Sequence, residues 1–443
     1  MGDVQARLQE IEQLGLTRRL RMISGPQGPS VVLDGRPVLL LCSNNYLGLA
    51  DHPRVRDAAA DAARRWGVGA GASRLISGTM TIHRRLEEEL ADLAGTESCI
   101  LFGSGYLANI GVLGALARRG DTIFSDELNH ASIIDGARLA RAEVVVYRHR
   151  DVEHLASLLS KTARGGKVIV TDSVFSMDGT VAPLEEIVEL AREFGAQTVV
   201  DEAHALGNLG PDGRGAVAAC GLDGEVDVVV GTLGKALGSY GAFACANEET
   251  VRLLINSARS LIFSTAPAPP AVAGALAALA IMRERPDRCA RLRANARALR
   301  GALAAEGFPV TESSMQIVPL ILGDERQTMV ACRGSLERGV FAQGIRPPTV
   351  PAGTGRLRLT VMASHTASEL ALAASKISDA VRDAGLEPEA VVPSLSELEP
   401  PPREPLYAVP ADAAAHDAPF DVESLAAAAP FDIERERDSG QAA

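Results

Sequence analysis

Asp201, Glu202 and His204 stand at the end of an apolar run in "TVVDEAHALG" (198–207), and Lys235 lies in a glycine-rich turn, "GTLGKALGSYG" (231–241), after a second apolar run. Two chemistries suit such groups. One is nucleotide hydrolysis, which the letters Asp-Glu-Ala-His suggest. That chemistry needs a phosphate loop, G-x-x-x-x-G-K-[ST], ahead of the acidic box. The candidate around Lys235 has Gly231 three residues before Gly234 rather than five, Ala236 in place of a magnesium-binding hydroxyl, and a position after the box. A P-loop ATPase with a DEAH box is therefore the remote alternative. The other chemistry is carbanion stabilisation on pyridoxal 5'-phosphate. Ends of neighbouring parallel strands meet in one crevice. There a lysine amine can form a Schiff base with the cofactor aldehyde, and an aspartate can keep the pyridine nitrogen protonated, which makes the ring an electron sink. A phosphate cradle is expected at "LFGSGYLAN" (101–109): a strand ends at Phe102, a Gly-Ser-Gly turn follows, and a helix opens whose free N–H groups and dipole favour a dianion.

The elements that must position these groups are legible from pattern. Short, continuously apolar runs such as "SCILF", "KVIVTDS", "QTVVDEA" and "VDVVVGT" read as strands buried on both faces, with helices such as "LEEIVELAREFG" between them. "IHRRLEEELADLAG" places Ile82, Leu86, Leu90 and Leu93 on one helical face, and "VVLDGRPVLLL" predicts a hairpin around Asp34-Gly35. Four parts are expected: an N-terminal arm with a helix and hairpin (1–45), a large α/β domain with a mainly parallel sheet (46–265), a connecting helix with a small α+β domain (266–385), and an acidic, Pro- and Ala-rich tail (386–443) expected to be disordered. Residues 1–22 read as a charged amphipathic helix with Leu8, Ile11, Leu14 and Leu16 as its stripe.

Composition narrows the classes. The formal charge is −12, but from Leu386 onward 13 Asp/Glu stand against 3 Arg, so −10 of it lies in the tail and the rest is nearly neutral. There is no basic stripe, and aromatics are 4%, which argues against nucleic-acid binding. The six cysteines are scattered without metal-ligand spacing, so no metal site is expected and free thiols in a reducing cytoplasm are. No stretch approaches the roughly 18 apolar residues of a membrane span. The tail repeats "APFDVE" (418–423) as "APFDIE" (429–434), readable as drift or as paired docking segments.

In order along the chain, "CSNNYLGLADHP", "GVGAGASRLISGT", "FGSGYLAN", "SDELNHASIIDG", "TDSVFSMDG", "VVDEAHALGNLG", "GTLGKALGSYG", "FSTAPAPP" and "RPPTVPAGTGRLRLT" resemble the α-oxoamine synthases, pyridoxal-phosphate enzymes of the fold-type I aminotransferase architecture. The resemblance runs from about Leu16 to Gly385. It implies Lys235 as the Schiff-base lysine and general base, Asp201 on the pyridine nitrogen, His204 on the ring hydroxyl and His130 stacked on the ring; Glu202 is a neighbour in the family, not a catalyst. Gly105 and Tyr106 would hold the phosphate, Ser176 and Thr232 would touch the cofactor, and Thr265 would reach the phosphate across the interface of a homodimer with shared sites. Arg358 would clamp the amino-acid carboxylate with help from Asn44, while Arg356 is expected to point the other way. Arg346 and Thr349 would lie near the acyl thioester, and either Arg18 or Arg21 would meet its far end. Within the family, "IRPPTVPAGT" and "GAGASRLISG" look most like the member that joins L-alanine to a pimeloyl thioester, on CoA or an acyl carrier protein, on the route to biotin. The sister reaction of glycine with acetyl-CoA is the alternative, with other α-oxoamine synthases behind it.

Overall fold

The computed structural model describes residues 4–162 and 164–392. The N-terminal helix is shorter than its apolar pattern suggests, Val4–Gln13, with no buried residue. Gly15, at φ 67°, ends it, and the Leu16 N–H reaches back to the Ile11 carbonyl at 2.8 Å, so Leu14 and Leu16 fall outside the helix. The expected hairpin is present: β1 (Ile23–Ser24), β2 (Ser30–Leu33) and β3 (Arg36–Leu40) run antiparallel, and Asp34 and Gly35, at φ 48° and 80°, make the reversal between β2 and β3.

Seven strands build the large sheet: β4 (Ser98–Phe102), β5 (Thr122–Asp126), β6 (Glu143–Tyr147), β7 (Lys167–Asp172), β8 (Gln197–Asp201), β9 (Val228–Thr232) and β10 (Ala242–Ala246). Their order is β4-β10-β9-β8-β7-β5-β6, parallel throughout except for β10, which runs antiparallel to both neighbours. Val199, Val200, Val228, Val229 and Val230 are almost wholly inaccessible. Burying such side chains contributes about 1.5–3 kcal/mol each, which is why the central runs contain no polar alternation. One core lies on the face covered by helices Gly105–Leu116 and Ala131–Leu139, and the other on the face covered by helices that include Thr81–Ala94 and Leu184–Phe194. Ile82, Leu86, Leu90 and Leu93 all point into the second core, as their spacing predicts.

Beyond helix Pro269–Glu284 the chain forms β11 (Ile317–Gly323), β12 (Val340–Phe341), β13 (Gln343–Ile345) and β14 (Gly355–Thr360). β11-β14-β13 make an antiparallel sheet, whereas β12 pairs in parallel with β3, so the N-terminal ribbon and the C-terminal part share one sheet. The chain does not leave the fold at Leu386. Val391 is buried and Val392 bridges to Ile321, which holds the chain on the edge of β11. The remainder of the acidic tail, with its "APFD" repeat, lies outside the described residues. Among the described residues no helix is long and apolar enough to cross a membrane.

The register across β7, β8 and β9 matters most for chemistry. Asp172 pairs with Asp201, and Asp201 with Val230, so two carboxylates end side by side just before the turn that carries Lys235. Gly238, at φ 57°, lets that turn pass so close to the Leu49–Ala50 backbone that a side chain would meet the Ala50 nitrogen at 2.4 Å.

Candidate active site

Lys235 Nζ lies 2.8 Å from His204 Nε2. His204 Nδ1 is 2.7 Å from the Tyr46 hydroxyl, and that hydroxyl donates to Asn44 Oδ1 at 3.0 Å. Only one proton arrangement satisfies the whole chain: Lys235 donates to Nε2, Nδ1–H donates to Tyr46, and Tyr46 donates to Asn44. His204 is therefore a neutral imidazole. Burial pushes its pKa well below the usual value, and the positive charges of Lys235 and Arg358 add to the effect. Burial also pulls Lys235 down to about 8, against the opposing pull of Asp201 and Asp172.

Asp201 is held from both sides. Asn109 Nδ2 donates to Oδ2 at 2.7 Å, and the Ala203 N–H to Oδ1 at 2.8 Å. A carboxylate offers about four acceptor directions, so Asp201 keeps the capacity to accept from a further N–H such as a protonated pyridine. Asn109 also donates to Ser132 Oγ at 2.9 Å, and Ser132 Oγ contacts His130 Nδ1 at 2.7 Å. The backbone N–H of His130 donates to Asp172 Oδ2 at 2.7 Å. Asp172 is pushed well above the usual carboxylate range by burial and by the neighbouring Asp201. His130, Asp201 and Lys235 thus belong to one connected crevice.

The glycine turn lies beside it. Ser104 caps helix Gly105–Leu116 through the Leu107 N–H at 3.3 Å, leaving Gly105 and Tyr106 in the first turn. A side chain on Gly105 would approach Thr232 at 3.9 Å, so the helix start and the end of β9 lie side by side. Thr232 Oγ1 accepts from the Gly234 N–H at 3.2 Å. The Tyr106 hydroxyl donates to Asp135, which leaves its backbone N–H as the group available to a phosphate. Thr265 is exposed and pairs through its backbone with Ser73, while Ser264 borders Gly103. Together, a lowered-pKa amine, a carboxylate with spare acceptor capacity and a helix start with free N–H groups fit pyridoxal phosphate.

Arg358, 7% exposed, donates through Nε to the Ser176 carbonyl and brings its other nitrogens to 3.4 and 3.5 Å from Asn44 Oδ1. Ser176 thus meets Arg358 through its backbone. Arg356 does not point away. Residues two apart on a strand share a face, and Arg356 Nη1 binds Asp178 at 2.5 Å, in the same turn as Ser176. Arg21 pairs with Asp34 at 3.1 Å and lies over the Phe341 ring, and both Arg21 and Arg18 are exposed. Arg346 donates to the Thr17 carbonyl at 3.1 Å, and Thr349 sits exposed in the next turn. These four stand apart from the hydrogen-bonded cluster around Lys235.

Three further residues join that cluster: Tyr46, Asn109, and Gln316, whose Nε2 donates to the His204 carbonyl at 2.7 Å. Asn109 could have been found as a polar residue within an otherwise apolar helix, and Tyr46 lies inside "SNNYLG". Gln316 carries no local signal. Glu202 turns away from the crevice. Its two oxygens accept the N–H groups of Ala216 and Val217 at 2.9 and 2.7 Å, where they cap the short helix Ala216–Ala219.

A family model described as "Aminotransferase class I and II" matches residues 36–377. The chain belongs to this family. Among aminotransferase-family proteins, it is 49% identical over 383 residues to an 8-amino-7-oxononanoate synthase of Geotalea daltonii, covering 86% of this chain and 98% of the relative. It is 52% identical over 372 residues to that of Geobacter metallireducens, covering 82% and 95%. A solved serine palmitoyltransferase of Sphingomonas wittichii matches with a TM-score of 0.82 at 34% identity, over 86% of this chain and 98% of that one. An 8-amino-7-oxononanoate synthase of Francisella tularensis matches at 0.67 and 26%, over 79% and 99%. These relatives agree with the α-oxoamine synthase resemblance of the sequence.

Two outcomes are expected of this aminotransferase-family site. Glu202→Gln sets an NH2 group against a backbone N–H donor, so it should lower stability by about 1–3 kcal/mol and leave the absorption of the cofactor-loaded protein unchanged; loss of that absorption at unchanged melting temperature would put Glu202 in the crevice after all. Because Lys235 titrates near 8, uptake of pyridoxal phosphate by the apoprotein, followed by absorption, should speed up roughly tenfold per pH unit below that value and level off above it. A flat profile between about pH 6 and 9 would contradict the lowered pKa.

Proposed function

We infer that the chain catalyses the pyridoxal-phosphate-dependent, decarboxylative joining of L-alanine to a pimeloyl thioester, giving 8-amino-7-oxononanoate, CO2 and the free thiol, in biotin biosynthesis. One observation carries this reading: identity of 49% and 52% to 8-amino-7-oxononanoate synthases along 98% and 95% of their length.

Bound pyridoxal phosphate supplies an aldehyde for the amino-acid nitrogen and a ring that draws off the electron pair left at the α-carbon. The chain's own residues do the rest. Arg358 and Asn44 take the alanine carboxylate; a planar fork of donors suits it, and their approach to 3.4 Å supports the pairing. Lys235 moves the proton at the α-carbon, a role supported by its pKa of about 8, close to working pH. Asp201 would keep a proton on the ring nitrogen, His204 would accept from the ring hydroxyl through Nε2, and His130 would face the ring. Gly105 and Tyr106 at the helix start, with Thr232 at the end of β9 beside them, would hold the phosphate. Ser176 acts on the carboxylate side through its hold on Arg358. Arg346 and Thr349 would border the acyl path, and Arg18 or Arg21, both exposed on the N-terminal arm, would meet the far carboxylate; the Arg21–Asp34 pair is exposed and easily exchanged.

A homodimer is part of the proposal. Leu75, Ile76, Tyr240 and Phe263 are large and more than half exposed, and the Ser73–Thr265 bridge brings the first pair beside the last. A monomer seldom leaves such a patch to water, and a second copy would cover it and bring Thr265 to the neighbouring site. The six cysteines are all free, which supports a reducing, cytoplasmic setting.

Initial rates with paired substrates test the reaction: kcat/KM for alanine with pimeloyl thioester should exceed that for glycine with acetyl-CoA or serine with a long-chain acyl-CoA by a factor of about 100 or more. A preference for either other pair would move the chain to a sister activity. For the dimer, Ile76→Asp should lower the mass measured by sedimentation toward that of one chain, with activity falling together with it. Full activity in a monomeric variant would refute the shared site.

A further inference from the structure

Arg356 is wholly buried, yet it belongs to none of the roles assigned above. Each of its three guanidinium nitrogens has a partner: Nε donates to the Thr354 carbonyl at 3.0 Å, Nη2 to Thr354 Oγ1 at 3.1 Å, and Nη1 to Asp178 Oδ1 at 2.5 Å. The first two bonds stay within its own strand and turn. The third crosses to the turn that follows β7. That turn is tight: the Phe175 N–H donates to the Thr180 carbonyl at 2.9 Å and the Gly179 N–H to the Phe175 carbonyl at 2.8 Å. It is also pressed onto the C-terminal sheet, because a side chain on Gly179, at φ 69°, would meet the Ile317 carbonyl at 2.8 Å.

The same turn carries Ser176, whose carbonyl accepts from Arg358 Nε. β14 therefore grips one turn at two points, through Arg356 on the Asp178 carboxylate and through Arg358 on the Ser176 carbonyl. The two grips differ. Arg356–Asp178 is a charge pair with no nitrogen left over for a ligand. Arg358 spends one nitrogen on the turn and directs the other two toward Asn44, where a carboxylate can replace or join the amide oxygen.

We propose that Arg356 is a positioning residue for the amino-acid carboxylate clamp: bonded to Thr354 and Asp178, it fixes the turn whose Ser176 carbonyl aims the guanidinium of Arg358. The inference rests on Arg358 binding the substrate carboxylate. It assigns to Arg356 an effect on carboxylate recognition alone, since neither it nor Asp178 bonds to Lys235, His204 or Asp201.

The test separates carboxylate recognition from general loosening. Cofactor-loaded wild-type, Arg356→Met, Asp178→Asn and Arg358→Met proteins are titrated with L-alanine and, separately, with ethylamine, which lacks the carboxylate; binding is read from the visible absorption. Loss of a charge-assisted hydrogen bond weakens a bound state by about ten- to hundredfold, so Arg356→Met should raise the alanine dissociation constant by that order and leave the ethylamine constant unchanged. Asp178→Asn, close in size and serving if Arg356→Met does not fold, should change alanine binding in the same direction by less. If both amines weaken together, Arg356 merely supports the fold and the proposal fails. If Arg358→Met loses alanine while Arg356→Met and Asp178→Asn bind it like wild type, the proposal fails with the clamp intact. If Arg358→Met itself binds alanine normally, the clamp reading fails first.

Discussion

Lys235 can keep its amine inside the protein because His204 accepts from it at 2.8 Å and two carboxylates stand at the adjoining strand ends. An ammonium buried without such partners would cost far more than a small domain's net stability, and the amine would simply lose its proton. With them, burial lowers the pKa only to about 8, leaving a group that can both hold and release a proton near neutrality. The rest of the crevice follows from this balance. His204 must be neutral to accept, which requires Tyr46 on its other nitrogen; Tyr46 in turn needs Asn44, and Asn44 is where Arg358 arrives. One chain of hydrogen bonds therefore links the amine to the carboxylate site.

Sheet topology makes that chain possible. Parallel β7, β8 and β9 deliver Asp172, Asp201 and the Lys235 turn to one end, and antiparallel β10 returns the chain without disturbing them. The second half of the crevice comes from elsewhere. The 44–46 segment follows the N-terminal ribbon, which shares a sheet with β12, and Arg358 sits on β14 of the C-terminal sheet. Carboxylate recognition thus depends on packing between parts far apart in sequence, whereas the cofactor end is built within one sheet.

That division explains what could be read from the sequence. Asp201, Lys235 and the Gly103-Ser104-Gly105 turn announce themselves because each polar group interrupts a buried strand or precedes an apolar helix. The hairpin at Asp34-Gly35 and the helical face of Ile82, Leu86, Leu90 and Leu93 are local patterns and appear as expected. The bonds of Tyr46 with His204 and of Asn109 with Asp201 span 158 and 92 residues, and no local pattern encodes them. Arg356 departs from its expected orientation for a different reason: two-residue spacing on a strand puts it on the face of Arg358. The N-terminal helix ends before its apolar pattern does, because apolar spacing continues past Gly15 whereas the backbone reverses there. "DEAH" misleads because Asp201 and Glu202, adjacent in sequence, leave the strand in different directions, one into the crevice and one onto a helix start.

Which amine carries the cofactor is the central question about this crevice. The sequence holds four lysines, Lys161, Lys167, Lys235 and Lys376, so the question has a short list of answers. Reducing the loaded protein with borohydride and locating the pyridoxyl group by peptide mass analysis decides among them. A single modified peptide, containing Lys235, is expected. Label on any other lysine, or none retained after reduction, would contradict that expectation.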